Sequence, residues 1–281
     1  MIPRLVATDL DGTLLRSDGT IDDRTRRALI AIEAAGLPLV ICTARPARWL
    51  RGLADETGHR GVAVCANGGV VWDLHTESVV QEFPLRAEVA VEVVARLRPA
   101  LPHGAWAVER AGGFAHEPAY APRWPVPDDT EIAAIDVLLA PPAAPAVKLM
   151  VRHPELSADD LLAQARALLG DLAEVSHSST NDALLEISAP GVSKASALAG
   201  LCARRGIGPE DVVAFGDMPN DLPMLRWAGY GIAVANAHPD VIAAADEVTA
   251  SNDEAGVAAV LERLLDGRPA RREAESPGRA Q

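Results

Sequence analysis

Leu5-Val6-Ala7-Thr8-Asp9-Leu10-Asp11-Gly12-Thr13 sets a short apolar run directly before two aspartates and a glycine. The run reads as a buried strand, and the Asp-Gly step reads as the turn that ends it. Carboxylates two residues apart at a strand end project to the same side of the chain. At that spacing their like charges disfavour double ionisation unless a cation or a shared proton intervenes. A hard divalent metal bound through oxygen resolves the conflict, and Mg²⁺ suits a site that phosphate and water complete. One aspartate is then placed to act as a nucleophile on phosphorus, and the other to act as acid and then base. The plain alternative is an Asp-rich turn without chemistry.

The same grammar spreads outward from this point. Residues 22–35 carry Leu29, Ile30 and Ile32 on helical spacing, closed by Gly36. A second strand over 37–42 ends at Thr43, and a third over 62–65 ends at Asn67-Gly68-Gly69. These units read as strand, helix, strand, helix, strand. Towards the C-terminus a helix over 195–205 precedes a strand over 211–215, which ends at Gly216-Asp217. A helix over 221–227 and a short strand over 231–234 follow. The alternation predicts an α/β fold, a Rossmann-like parallel sheet with helices on both faces. Every polar cluster falls just after a strand, where open parallel sheets place their ligands.

The middle of the chain reads differently. Helices near 88–97 and 158–169 mix with a strand over 147–151 and a Pro-rich stretch over 118–145. This predicts an inserted α+β domain over 84–187. The core is then discontinuous, built from 1–83 and 188–266, and 267–281 is expected to be a disordered tail.

The chain has 281 residues, with 26 Lys and Arg against 39 Asp and Glu, a formal net charge of −13. That excess of acid argues against nucleic acid as a partner, because proteins of that kind carry a basic footprint. Cys42, Cys65 and Cys202 form no short-spaced pair, which excludes a disulfide scaffold and a cysteine-based zinc site. The histidines show no metal-ligand spacing. No apolar run approaches the ~20 residues of a membrane span, and Asp9 arrives too early for a signal peptide. A cytoplasmic protein is expected. Neither a Gly-x-Ser-x-Gly elbow nor a Walker lysine is present, so serine-hydrolase and P-loop chemistry lack their parts.

Gly216-Asp217-Met218-Pro219-Asn220-Asp221 is a second acidic cluster after a buried strand. If the two strands are neighbours, Asp217 completes a metal site begun by Asp9, while Asp221, one helical turn on, holds a metal-bound water or orients its neighbours. Asn220 offers a donor and an acceptor to a substrate, and helix capping is the alternative for this segment. The Thr43 hydroxyl is suited to a phosphate oxygen. Lys194 opens a helix, where a cation opposes the macrodipole unless an anion sits beside it.

In this order the residues resemble the haloacid dehalogenase (HAD) superfamily of phosphatases. The first motif is Asp9 to Thr13, the second Thr43, the third Lys194, and the fourth Gly216-Asp217 through Asp221. Thr43-Ala44-Arg45-Pro46, Asn67-Gly68-Gly69, Gly191-Val192-Ser193-Lys194 and the long insertion are similar to the Cof-like subfamily (type IIB, with a C2 cap). Ala44 stands where that subfamily usually has Gly. The resemblance implies Mg²⁺-dependent hydrolysis of small phosphorylated metabolites, such as sugar phosphates, through an aspartyl-phosphate. It implies that Asp9 is nucleophile and metal ligand. Asp11 becomes the acid and base that lends its carbonyl to the metal. Asp217 becomes the third protein ligand, supported from behind by Asp221. Thr43, Ala44, Lys194 and Asn220 would hold the phosphate and substrate, with Arg45, Asn67 and Gly68 beside them. Arg110, His116, Arg123 and His177 are candidates for specificity in the cap. A phosphosugar mutase, or a metal- and phosphate-binding sensor without turnover, would use the same residues. No membrane partner is implied.

Overall fold

In the computed structural model the N-terminal apolar run forms β1 (Leu5–Thr8), buried along its whole length. The structure describes residues 3–50, 53, 57, 59 and 61–267. Asp22 opens α1 (Asp23–Ala34) by accepting the backbone N–H groups of Arg24 and Thr25. Leu29 and Ile32 of α1 enter the core, whereas Ile30 points to solvent. Ile30 sits one residue off the buried stripe and so faces away from it.

The second strand, β2 (Leu39–Cys42), starts two residues later than expected. Pro38 has no N–H to give a ladder, and only its carbonyl takes part, accepting from Val6 N. β3 (Val62–Cys65) lies where the sequence puts it. The helix expected between β2 and β3 falls mostly outside the described residues. A hairpin then follows, β4 (Val70–Asp73) and β5 (Ser78–Glu82), which the sequence reading left out.

After β5 come α2 (Ala87–Leu97), β6 (Ala105–Arg110), β7 (Gly113–His116) and β8 (Glu131–Ile132). Next are α3 (Ile135–Leu138), β9 (Lys148–Arg152), α4 (Ala158–Leu169), β10 (Glu174–Ser176) and β11 (Leu184–Ser188). The chain then returns through α5 (Lys194–Arg204), β12 (Val212–Gly216), α6 (Leu222–Trp227) and β13 (Tyr230–Ala233). It finishes with α7 (Pro239–Ala244), β14 (Glu247–Val248) and α8 (Gly256–Leu265). The expected tail lies, past Gly267, outside the described residues.

Two sheets result. The first runs β14-β13-β12-β1-β2-β3-β4-β5. It is parallel from β14 to β3, and the β4–β5 hairpin extends it antiparallel. α1 packs with α8, and α5 with α6, around one apolar core. The second sheet runs β10-β11-β9-β6-β7-β8 and is antiparallel except between β7 and β8.

Side chains of the second sheet alternate between its faces. Trp106, Val108, Leu149, Val151, Leu185 and Ile187 join α2 and α4 in a second core. The alternate positions include Glu109, Lys148 and Glu186, which meet the first sheet's loops. Lys148 Nζ donates to Ala44 O at 2.9 Å, and Arg48 pairs with Glu109. Among the described residues no helix is long and apolar enough to cross a membrane.

Candidate active site

β1 and β12 are parallel neighbours with Thr8 opposite Phe215, so Asp9 and Asp217 leave the sheet at the same end. Asp9 N still donates to Phe215 O at 3.0 Å, which fixes the first carboxylate relative to the second strand. The chain turns tightly through Gly12 at φ +77°, and Thr13 Oγ1 then donates to Asp217 Oδ1 at 2.7 Å. One carboxylate oxygen from each of Asp9, Asp217 and Asp221 lies within 4.8 Å of the others, and all three residues are buried.

Lys194, the first residue of α5, reaches into this cluster. Its Nζ donates to Asp9 Oδ1 at 2.6 Å and to Asp221 Oδ1 at 2.7 Å. The other Asp221 oxygen accepts the backbone N–H groups of Asp217 and Met218, each at 3.1 Å. Both Asp221 oxygens are therefore engaged within the protein. Ser193 caps α5 through Ser196, and the anions beside Lys194 offset its unfavourable place at a helix start.

One ammonium does not balance three buried carboxylates. Burial pushes the Asp9 carboxyl well above the usual carboxylate range, against the pull of Lys194. Burial, then the charge of Asp221, pushes Asp217 up to about 7. For Lys194, burial alone would lower the pKa, but the carboxylates of Asp221 and Asp9 reverse that and raise it.

Asp11 does not join this cluster. Its side chain is 52% exposed and forms a two-pronged ion pair with Arg45, at 2.7 Å from Nε and 2.6 Å from the second nitrogen. Thr43 is buried, and its Oγ1 accepts from Arg45 N at 3.0 Å, which closes the turn after β2. The Ala44 carbonyl faces Lys148 rather than the carboxylates. Asn220 Nδ2 donates to Asn67 Oδ1 at 3.0 Å, the Asn67 side chain also helps hold Glu186 below the usual range, and Asn220 Oδ1 is buried without a partner.

Gly68 has a packing role. At φ +102° a Cβ there would lie 2.2 Å from Ser193 O, so only glycine lets this turn sit against the start of α5. Gly12 is equally confined, since a Cβ would meet Asp217 Oδ2 at 2.4 Å. Gly12→Ala is expected to destabilise the fold by about 2 kcal/mol from the backbone alone. Urea unfolding checks this, and a loss under ~0.5 kcal/mol, within the range of an ordinary surface change, would contradict it.

Sequence reasoning missed Lys148 and Glu186, a buried pair bridged from β9 to β11 at 2.5 Å. A signal was present, a lone charge inside each of two apolar strand runs. Asn236, whose Nδ2 donates to Gly12 O at 2.8 Å, carried no such signal. The four specificity candidates are engaged elsewhere. Arg110 holds the carbonyls of Ala144 and Leu138, His116 packs against Phe114 and Tyr120, Arg123 covers Trp124, and His177 pairs with Asp159.

Comparison with known proteins gives a consistent picture. The sequence model of a family described as haloacid dehalogenase-like hydrolase matches residues 6–261. The phosphoglycolate phosphatase of Methanopyrus kandleri is 30% identical over 263 residues, covering 93% of this chain and 97% of that protein. The 5-amino-6-(5-phospho-D-ribitylamino)uracil phosphatase YcsE of Bacillus subtilis is 28% identical over 268 residues, covering 92% and 94%. The solved structure of the HAD subclass IIB sugar phosphatase BT4131 superposes with a TM-score of 0.76 at 22% identity, covering 93% and 98%. That last likeness is one of fold.

Proposed function

Because the chain belongs to the haloacid dehalogenase-like hydrolases, in their Cof-like branch, we propose that it is a Mg²⁺-dependent phosphomonoester hydrolase of small phosphorylated metabolites, working in the cytoplasm. Relatives named as phosphatases support a phosphoric monoester hydrolase. The observation that carries the finer reading is Lys194, bonded to Asp9 and Asp221 beside Asp217.

The residues fit Mg²⁺. Asp9 and Asp217 present hard oxygen donors, and burial drives both towards holding a proton that a cation would replace. The two carboxylates and the Asp11 main-chain carbonyl would hold the ion, while Asp221, already saturated, stays behind Lys194. When bound, the cation neutralises charge on the phosphoryl group and lets both carboxylates ionise.

Lys194 restrains Asp9 Oδ1, which leaves Oδ2 to attack phosphorus. The P–O bond to the alcohol breaks as the new Asp9–phosphorus bond forms, and the alcohol takes its proton from Asp11. Water then gives a proton to Asp11 and attacks the aspartyl-phosphate, which frees phosphate and restores Asp9. Thr43 and Lys194 donate to phosphoryl oxygens as negative charge moves across them. Arg45 holds the Asp11 carboxylate outside the cluster, so Asp11 must swing from Arg45 to meet the leaving oxygen. In this reading 84–187 is a cap over a core of 1–83 and 188–266. Lys148 on Ala44 O and Arg48 on Glu109 close the seam against water.

Phosphate release from sugar phosphates, other phosphorylated metabolites and p-nitrophenyl phosphate tests the proposal. Release is expected with Mg²⁺ and not with EDTA. Release that EDTA leaves unchanged would overturn the metal requirement.

The raised carboxylates also set a pH dependence. Between the ordinary value of 3.8 and about 7, the folded chain keeps a proton on Asp217 that the unfolded chain gives up. Stability of the metal-free protein therefore falls as pH rises through that window, by about 1.4 kcal/mol per pH unit for each proton retained. Carboxylates held low, such as Asp22 and Glu262, have ordinary values of 3.8 and 4.5, so they oppose the slope only at the acid end of the window. Saturating Mg²⁺ is expected to flatten the slope in urea unfolding at pH 5 and 8, and an identical slope with and without Mg²⁺ would contradict this.

A further inference from the structure

We propose that Asp159, His177 and His238 form a second metal site, for Zn²⁺, that bridges the two sheet domains. Asp159 lies in the first turn of α4 and His177 just after β10, both in the insertion. His238 belongs to the other domain and caps α7. None of the three takes part in the phosphoryl chemistry above.

The geometry is close to that of a metal-binding triad. His177 Nε2 lies 2.9 Å from Asp159 Oδ1, and His238 Nε2 lies 3.6 Å from the same oxygen. One ligand atom from each residue falls within 4.8 Å of the other two. Ligands at ~2.05 Å around a tetrahedral zinc stand ~3.3 Å apart, so the two distances to Asp159 bracket that edge. The imidazole rings meet edge to face with centroids 6.0 Å apart. Both rings thus turn towards Asp159 without stacking.

Donor chemistry selects the ion. Two imidazoles and one carboxylate suit Zn²⁺ and its transition-metal neighbours, whereas Mg²⁺ prefers the all-oxygen cluster around Asp9. His177 is fully buried and its Nδ1 has no hydrogen-bond partner, so its Nε2, which meets Asp159 Oδ1 at 2.9 Å, is the ligand atom, and coordination there moves the ring proton to Nδ1. His238 Nδ1 now accepts from Asp240 N at 3.2 Å, and Asp240 Oδ2 lies 3.9 Å away. Coordination through Nε2 requires the ring proton on Nδ1. That long bond then gives way, and the exposed Asp240 carboxylate accepts a hydrogen bond from the Nδ1–H, as carboxylates behind metal-bound histidines do. Asp159 is 60% exposed, which leaves the fourth position open to water. Because His238 N donates to Asp217 O at 2.7 Å, an ion here would tie the insertion to the loop that carries Asp217.

The test is a Co²⁺ titration of the full chain in excess Mg²⁺, read by visible absorption. The wild type is expected to develop the intense bands of four-coordinate cobalt, saturating at one equivalent and bleached by Zn²⁺. Asp159→Asn, at an exposed position, and His238→Gln should each weaken that binding at least tenfold. Asp217→Asn should leave it unchanged, which separates this site from the carboxylate cluster. Only the faint absorption of six-coordinate cobalt in the folded wild type would overturn the proposal. So would intense bands that survive either Asp159→Asn or His238→Gln, or that disappear with Asp217→Asn in a folded protein.

Discussion

Asp9→Asn is expected to lower phosphate release by about four orders of magnitude or more while leaving the fold in place. An amide has almost the shape of the carboxylate but no nucleophilic oxygen, so the step that forms the aspartyl-phosphate is lost. Lys194 keeps Asp221 as an ionic partner at 2.7 Å, and the fold therefore does not inherit an unpaired buried ammonium. Removing one of three crowded carboxylates relieves repulsion, because the charges of Asp221, Asp217 and Asp11 all push Asp9 upward. The metal-free variant should accordingly unfold at a urea concentration equal to or above that of the wild type. Single-turnover assays with Mg²⁺ and the best panel substrate measure the first effect, and urea unfolding measures the second. Activity within tenfold of wild type would remove Asp9 from the nucleophile's role and direct the search to another acceptor.

The expectation for Asp9 could be framed from the sequence because buried parallel strands advertise themselves. β1, β3 and β12 are short apolar runs that stop at polar clusters, and the register of β1 on β12 then brings Asp9 beside Asp217. Asp221 was legible only as a supporting group. That both its oxygens are taken, by Lys194 and by two backbone N–H groups, depends on how α5 approaches β12. The β4–β5 hairpin escaped notice because β5 is largely exposed and lacks an apolar run. Lys148 and Glu186 stand 38 residues apart and meet only through the β9–β11 register, with Met150 opposite Glu186 and Leu149 opposite Ile187. His177 follows β10 of the second sheet and His238 caps α7 beside the first, so no spacing rule joins them. The Asp-Leu-Asp spacing puts Asp11 with the carboxylate group, yet Arg45, present in the second motif, draws its side chain outward. Local pattern reports strands and their ends. Pairs made across sheets or between domains need the assembled fold.

Lys194→Met should destabilise the protein by about 3–5 kcal/mol, the cost of removing one partner from a buried ion pair, and abolish turnover. Methionine fills much of the same space, so packing around α5 changes little and the effect reports charge. Asp9 and Asp221 would be left buried with no ammonium at 2.6 and 2.7 Å. Asp9, already pushed upward by burial, responds by binding a proton, which gives the variant a pH signature. With the Lys194 charge gone, the Asp9 carboxyl rises further, and the folded state holds a proton that the unfolded state releases. The loss relative to wild type must therefore be larger at pH 8 than at pH 5. Adding Asp221→Asn to Lys194→Met removes one stranded charge and should recover part of the stability. It cannot restore activity, because nothing then steadies Asp9 or donates to the phosphoryl oxygens. Urea unfolding of both variants at the two pH values, with phosphate release in parallel, distinguishes this electrostatic account from simple loss of packing. A deficit for Lys194→Met that is the same at pH 5 and pH 8, and untouched by Asp221→Asn, would show that the lysine holds the fold by its volume instead of its charge.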